Sequence, residues 1–213
     1  MRTPAMTVLA VAALGLIAAG CGDGDPAPAP EPTPGAPSPT VAGQVAECVT
    51  GTWRTTGVSG EDGDELAAWE VDGGSGVSVV IGADGAVDVD FSGMQPVEFA
   101  ARVADVDAAG RFSYSGRVSG TVGTQGGTSG SWEPEGEVDW AGLRLTLDLT
   151  EPVRARPLDE APVGDSIADL AEQTGDGVDV NPFLGPGSYR CEGGTLELTQ
   201  HDGRDTTWTL QRQ

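Results

Sequence analysis

The side chains able to do chemistry in this sequence are mostly carboxylates. Asp and Glu together number 33 among 213 residues. Glu133, Glu135, Glu137 and Asp139 stand at alternate positions, which would place neighbours about 6 to 7 Å apart on one strand face. That spacing approaches the separation of the two carboxylates in glycosidases. A catalytic pair must flank its substrate, so four acids along one wet face favour solvation. A carboxylate-dependent hydrolase is the enzymatic alternative.

Other catalytic and metal-binding patterns are not found. One histidine, His201, and the lack of lysine leave little for acid–base or Schiff-base chemistry. The sequence has no Gly-x-Ser-x-Gly elbow, no His-Glu-x-x-His and no phosphate-binding glycine loop. The acids of 61–65, and Asp84 with Asp88 and Asp90, lack the spacing of a calcium loop. We therefore expect a protein without catalytic residues, metal or cofactor, and not an enzyme.

The net charge of −22 restricts the partners of the chain. A field of this sign repels phosphate backbones, so we expect no nucleic-acid binding. Solubility is the simpler meaning of the charge, and attraction of cations or basic partners is the alternative. The sequence does not identify a protein partner.

The N-terminus has the pattern of an export signal. Arg2 gives a short positive region, and 5–19 is an apolar run too short to span a bilayer comfortably. The small residues Ala18, Ala19 and Gly20 then precede Cys21, an order that resembles the lipobox of bacterial lipoproteins. We expect a signal peptide over 1–20 and a lipid on Cys21, with at least two acyl chains for stable anchoring.

A tether over 21–46 follows the signal peptide. It contains seven prolines between Pro26 and Pro39 and no large apolar residue before Val41. Such a segment buries too little surface to offset the entropy of ordering it. In extended polyproline form, it could hold a domain roughly 75 Å from the membrane. The predicted location is extracytoplasmic, lipid-anchored to the outer face of the cytoplasmic membrane.

Two cysteines remain once Cys21 carries the lipid. Cys48 and Cys191 form an even pair in an oxidising compartment, so we expect a structural disulfide between them. A reactive thiol or a metal pair is the alternative, although neither cysteine has a His or a second Cys nearby at ligand spacing.

From 47 to 213, the dominant pattern is period-two alternation. Phe112, Tyr114 and Val118 share one face of a run that continues to Val122, and Arg111, Ser113 and Arg117 share the other. The runs 131–140 and 143–150 alternate in the same way. Such strands are half-buried and antiparallel. Further strands are predicted over 77–82, 86–92, 96–104, 187–191, 195–200 and 206–212.

These strands predict an all-β domain of nine or ten strands. Short links between consecutive strands favour an antiparallel meander, and closure into a barrel would remove its edges. An open β-sandwich is the alternative fold. Two short helices are also predicted, over 65–70 after an Asp64 cap and over 167–173 after a Ser166 cap.

The phase of the terminal strands predicts how such a barrel would close. Trp53 points inward in the first strand, and the alternation that buries Trp208 and Leu210 also turns Arg212 inward. A buried charge needs a partner, and a guanidinium can stack on an indole. Trp53 and Arg212 are therefore the predicted barrel-closing pair.

The two ends of the domain carry a family resemblance. Gly51-Thr52-Trp53 with an arginine ending the last strand is similar to the lipocalin signature. The tail from Tyr189 to Thr199, followed by Trp208 to Arg212, resembles lipocalin-like lipoproteins of high-GC Gram-positive bacteria. The resemblance implies a lipocalin-like β-barrel and, by analogy, a small apolar ligand. Most of those lipoproteins have no assigned activity, and fold alone does not imply function.

The predicted interior is rich in aromatic and glycine residues. Gly51, Gly116, Gly120 and Gly136 share it, and their missing side chains could leave a ligand cavity. A filled core is the alternative. We expect a non-enzymatic envelope lipoprotein that binds a small apolar ligand or acts as a surface interaction module, with a purely structural role as a further alternative. The candidate cavity lining is Phe112, Tyr114, Trp132, Trp140 and Trp208.

Overall fold

The fold is an antiparallel sheet of twelve strands. The computed structural model describes residues 45–63, 67–103, 106–163, 183–201 and 205–213. These belong to the second of two units into which the chain divides, Pro39–Gln213. The predicted signal peptide, Cys21 and nearly all of the tether lie outside the described residues. Among those residues, no helix has the length and hydropathy that crossing a membrane requires.

The strands cover most of the described chain. In sequence order they are β1 (Gly51–Gly63), β2 (Ala67–Gly73), β3 (Ser78–Ile81), β4 (Ala86–Asp90), β5 (Val97–Val103), β6 (Val106–Gly126), β7 (Ser129–Asp139), β8 (Leu143–Glu151), β9 (Ala155–Pro162), β10 (Gly187–Glu192), β11 (Thr195–Gln200) and β12 (Thr206–Arg212).

Eight of these strands form a closed ring. Their order is β12-β11-β10-β7-β6-β4-β3-β1, and β12 pairs back onto β1. The prediction of an all-β antiparallel fold is confirmed. The predicted nine or ten strands are too few, and the order is more complex than a meander, because β2, β5, β8 and β9 lie off the ring.

The longest strand, β6, accounts for much of this added complexity. The 21-residue β6 pairs with β5 and β8 along its first half and with β4 and β7 along its second half. Gly116 lies between the two halves with φ of 91°, where the carbonyl oxygen of Gly142 occupies the space of a side chain. Any larger residue would clash there, so this glycine allows β6 to change partners.

The predicted helix over 65–70 is wrong in its described part. Ala67–Gly73 is β2, which pairs with β1 on one side and β5 on the other. Trp69 and Val71 alternate into the core, and this period-two burial outweighs the capping signal at Asp64. The second predicted helix, over 167–173, lies outside the described residues.

β9 is a strand that the sequence patterns do not predict. It pairs with β8 in an irregular register and contains Pro157 and Pro162, which cannot donate hydrogen bonds. Arg156 forms an ion pair with Asp148 on β8 at 2.6 Å. Hydrogen bonds from Arg156 and Arg111 hold the pKa of Asp148 below its usual value.

The core follows the predicted alternation. Tyr114, Val118 and Val122 of β6 are buried, as are Leu143 and Leu145 of β8. On β7, Trp132 is buried while the acidic positions lie on the other face, with Glu133, Glu137 and Asp139 exposed. The four acids therefore follow the solvated face of one strand.

The predicted disulfide between Cys48 and Cys191 is confirmed. The two Cα atoms are 6.1 Å apart across a sequence separation of 143 residues. The bond joins the turn before β1 to β10, so the covalent loop that it closes contains all strands from β1 to β9. In the chain-entropy model, a loop of this length contributes on the order of 4 to 5 kcal/mol.

Replacing both cysteines tests that contribution. The double variant Cys48→Ser, Cys191→Ser should unfold at a lower denaturant concentration, with a loss of roughly 4 kcal/mol. Chemical denaturation monitored by tryptophan fluorescence measures the free energy. The oxidised wild type and the wild type under reducing agent serve as references. Equal stability of all three would show that the bond does not constrain the unfolded chain.

Candidate ligand-binding site

The predicted aromatic lining residues all belong to one hydrophobic core or pack against it. Tyr114, Trp132 and Trp208 are buried, whereas Phe112 and Trp140 are partly buried and pack against the same core. The Tyr114 ring lies 5.7 Å from that of Phe112, centroid to centroid. The structure thus brings Phe112 and Tyr114 into contact and buries two tryptophans from β7 and β12.

A residue that the sequence analysis does not single out sits among these aromatics. Phe183 precedes β10 and is 1% exposed. Its ring centroid is 4.4 Å from that of Trp208 and 6.0 Å from that of Phe91. Trp132 Nε1 donates a hydrogen bond of 2.9 Å to the backbone carbonyl of Phe183. An aromatic group from a connecting segment therefore occupies the centre of the predicted site.

The backbone of Phe183 is strained. Its φ is 67°, in the left-handed region that bulky residues rarely adopt. Such a conformation costs on the order of 1 to 3 kcal/mol and persists only when its surroundings impose it. Burial of the ring and the hydrogen bond from Trp132 are the contacts that impose it here. No periodicity predicts this placement, because Phe183 lies in an irregular segment.

Chain atoms occupy much of the space that the interior glycines were expected to leave open. A Cβ at Gly120 would lie 3.4 Å from a methyl group of Leu184, the neighbour of Phe183. The guanidinium of Arg212 lies where a Cβ at Gly51 would be, and the carbonyl oxygen of Gly142 lies where a Cβ at Gly116 would be. Gly136 is exposed. Gly51, Gly116 and Gly120 therefore accommodate close neighbours, and only Leu184 beside Gly120 is a buried side chain of the core.

One polar atom in this interior has no partner within the described part of the chain. Trp208 is 2% exposed, and its Nε1 has no hydrogen-bond acceptor there. Comparable groups are satisfied: Trp53 Nε1 donates to the Val49 carbonyl at 2.8 Å, and the Tyr189 hydroxyl to that of Gly127 at 3.0 Å. Burial also raises the pKa of Tyr189, which keeps its hydroxyl a donor. An unmade buried hydrogen bond costs about 1 to 3 kcal/mol.

The predicted closing pair is in contact. Arg212 Cζ lies 4.2 Å from the ring centroid of Trp53, and the two residues face each other in the β1–β12 register. Arg212 also donates hydrogen bonds to the carbonyls of Thr50, at 2.8 Å, and Cys48, at 2.7 Å. The guanidinium therefore stacks on the indole and caps the turn before β1, while part of the side chain remains exposed.

The clustered acids serve turns and ion pairs. Asp84 accepts a hydrogen bond from Ala86 N, and Asp90 accepts one from Ser92 N. Asp90 also pairs with Arg117 at 2.7 Å, and its pKa is lowered by the Ser92 hydrogen bonds and by Arg117. Within the described ranges, no group of three or more potential ligands is placed to hold a metal ion.

The chain matches no family model, no curated protein and no solved structure. The contacts inside the ring and at its closure are therefore the basis for assigning a function.

A double-mutant cycle tests the closing pair. Arg212→Ala should cost about 2 kcal/mol of unfolding free energy, because it removes a stacked cation and two charge-assisted hydrogen bonds. Trp53→Ala should cost about 3 to 5 kcal/mol as a buried aromatic truncation. If the two side chains interact, the double variant should lose less than the sum, with coupling of about 0.5 to 1 kcal/mol. Strictly additive losses would show that the contact contributes nothing to stability.

Proposed function

We propose that this protein is a lipid-anchored extracytoplasmic binding protein whose domain takes up a small apolar ligand. In this proposal, the eight-strand ring is a lipocalin-like barrel, and the ligand occupies the position of the Phe183 side chain. The proposed role is binding and not catalysis, because the side chains around that position are aromatic. The ligand class is an apolar, ring-sized molecule with one hydrogen-bond acceptor.

The observation that carries this proposal is the unpartnered indole N–H of Trp208 in an apolar interior. Ligand sites combine aromatic walls with a few polar groups that fix orientation. A carbonyl or hydroxyl oxygen on the ligand would accept from Trp208 Nε1 and remove the cost of leaving it unpaired. Phe183 lies 4.4 Å from the same indole, which shows that an aromatic ring fits there. It cannot supply an acceptor from its side chain.

The strain at Phe183 supports the same site. If the Phe183 side chain leaves the interior, its backbone can relax from the φ of 67° and the cost of that strained conformation is removed. That gain offsets some of the lost burial of its ring, which for a phenylalanine is worth about 2 to 3 kcal/mol. A ligand therefore has less to overcome than it would in displacing an unstrained core residue.

A specific observation also favours a second candidate, a surface interaction module. The interior is filled by Phe183 and Leu184, so the domain can serve as a rigid body that presents its outer surface. With a net charge of −22, such a surface would attract basic partners. A purely structural role would require neither ligand nor partner.

Anchoring completes the proposal. The disulfide between Cys48 and Cys191 is consistent with an oxidising, extracytoplasmic compartment. The apolar run, the small residues before Cys21 and the proline-rich segment are the sequence features that support a lipid on Cys21. The tether would then keep the domain at the outer face of the cytoplasmic membrane.

Opening the proposed position tests the binding function. Phe183→Ala should bind acetophenone, whose ring fills the vacated space and whose carbonyl accepts from Trp208. Ethylbenzene has nearly the same shape without an acceptor and should bind about tenfold more weakly, equivalent to roughly 1.4 kcal/mol. Titration followed by the indole ¹H–¹⁵N resonances measures both affinities and identifies Trp208 by its shift.

The control for this titration is Leu158→Ala, a comparable truncation on β9, outside the ring. It should bind neither compound. If Phe183→Ala also binds neither, the interior is not a ligand site and the interaction module becomes the better proposal. Equal affinity for the two compounds would remove Trp208 from the recognition.

Replacing the predicted lipid acceptor tests the anchor. Cys21→Ser should move the protein from the detergent-dependent membrane fraction to the soluble extracytoplasmic fraction, because the acyl chains would be lost. Fractionation followed by immunoblotting measures the distribution. Cys48→Ser is the matched control and should stay with the membrane. Full retention of Cys21→Ser in the membrane fraction would exclude this cysteine as the anchor.

A further inference from the structure

A hydrogen-bonded chain of serine, histidine and aspartate lies on the outer face of the ring. His201 Nε2 is 3.2 Å from Ser188 Oγ, and His201 Nδ1 is 2.9 Å from Asp205 Oδ1. Ser188 is in β10, His201 directly follows β11, and Asp205 directly precedes β12. His201 is the single histidine of the sequence. One imidazole thus contacts a hydroxyl through one nitrogen and a carboxylate through the other.

The backbone ladder sets this arrangement. Ser188 faces Thr199, and Thr199 faces Thr207, in the registers of β10, β11 and β12. Alternation buries Leu198, Gln200, Thr206 and Trp208, so the residues between them point outward. His201 N donates to the Pro186 carbonyl at 3.0 Å, which extends the ladder by one residue. The imidazole is therefore anchored by regular strand pairing beside Ser188.

A groove and an exposed cation adjoin the serine. The groove has a volume of about 360 Å³ and is lined by Ser129, Gly130, Ser188, Arg190 and Glu197, among others. Arg190 is exposed and two residues from Ser188 on one strand face, which places the side chains about 6 to 7 Å apart at their base. Within the described ranges, no carboxylate lies within 4.0 Å of its guanidinium. Glu197 faces Arg190 in the β10–β11 register, so the guanidinium and this carboxylate line the groove together without a close ion pair.

We propose that Ser188 is a nucleophile, with His201 as its general base and Asp205 as the positioning residue for the imidazole, and that the site cleaves small polar carboxylic esters. Neutral histidine donates from one nitrogen and accepts at the other. A carboxylate at Nδ1 selects the tautomer that donates to it, and Nε2 is then free to take the serine proton. Arg190 stabilises the negative oxygen that forms in the groove.

The reaction balances without a cofactor. Ser188 Oγ attacks the ester carbonyl carbon as its proton passes to His201 Nε2. The bond to the leaving oxygen then breaks, and His201 returns the proton to the departing alcohol. Water attacks the acyl-serine with the same histidine as base, which releases the carboxylic acid and restores the hydroxyl. One ester and one water give one acid and one alcohol.

This site goes beyond the proposed binding function, since it lies on the outer face and uses none of the interior aromatics. It also differs from the sequence-based expectation of a protein without catalytic residues. The side chains of His201 and Asp205 are 47% and 70% exposed. Water screens such a site, so the site suits reactive esters with good leaving groups and a modest rate.

A fluorophosphonate probe tests the serine directly. Ser188 Oγ attacks phosphorus, the P–F bond breaks, fluoride leaves and His201 takes the proton, so that labelling reports the activated hydroxyl. The full-length protein in detergent should be labelled on Ser188, located by peptide mass spectrometry. His201→Gln should slow labelling about a hundredfold, the lower end of general-base catalysis. The same variant should lose turnover of p-nitrophenyl acetate.

Two further variants separate positioning from structure. Asp205→Asn should slow labelling, and Asp205→Glu should restore it, because only a carboxylate orients the imidazole. Ser131→Ala removes the hydroxyl that faces Ser188 in the β7–β10 register and should label like the wild type. Equal unfolding midpoints would show that every variant is folded. Absence of the label from Ser188, or labelling independent of His201, would overturn the proposal and leave the interior binding experiments unaffected.

Discussion

The structure depends on the pairing of its first strand with its last. Trp53 to Ser59 on β1 face Arg212 to Thr207 on β12, and this ladder turns an open sheet into a ring. Without it, Trp53 and Trp208 would lie on exposed edge strands, and the interior would lose two of its largest side chains. Residues at opposite ends of the domain must therefore meet before the core is complete. The stacked guanidinium of Arg212 and the Cys48–Cys191 bond both lie at this closure.

The closure could be predicted from sequence because its signals are local and phased. Alternation gives the inward face of each strand, and continuing that phase to Arg212 identifies a charge that needs an aromatic partner. The disulfide could be predicted because the sequence predicts a lipid on one of the three cysteines, which leaves a pair. The first inference requires only the direction in which a side chain points, and the second requires only the number of cysteines. The strand order was harder, because β6 and β1 each pair with several strands and no periodicity records which ones.

The remaining features depend on the topology itself. Phe183 enters the ring from an irregular segment, so its position follows from where β7 and β10 leave space. Ser188, His201 and Asp205 are separated by 13 and 4 residues and match no motif. They come together because two hairpin ladders bring β10, β11 and β12 side by side. The inside of the ring is thus aromatic, while this part of its outer face carries titratable groups in water.

The position of the disulfide has a mechanical consequence for the proposed lipid-anchored form of the protein. A pull on the tether enters the domain just before Cys48, three residues ahead of β1. In the absence of the covalent bond, only the hydrogen bonds to β3 and β12 would hold the start of β1 against that force. With the bond in place, part of the load passes directly to Cys191 on β10, at the far side of β11 and β12. Displacing β1 then also requires displacing β10, so in the proposed lipid-anchored form the bond holds the first strand in the ring.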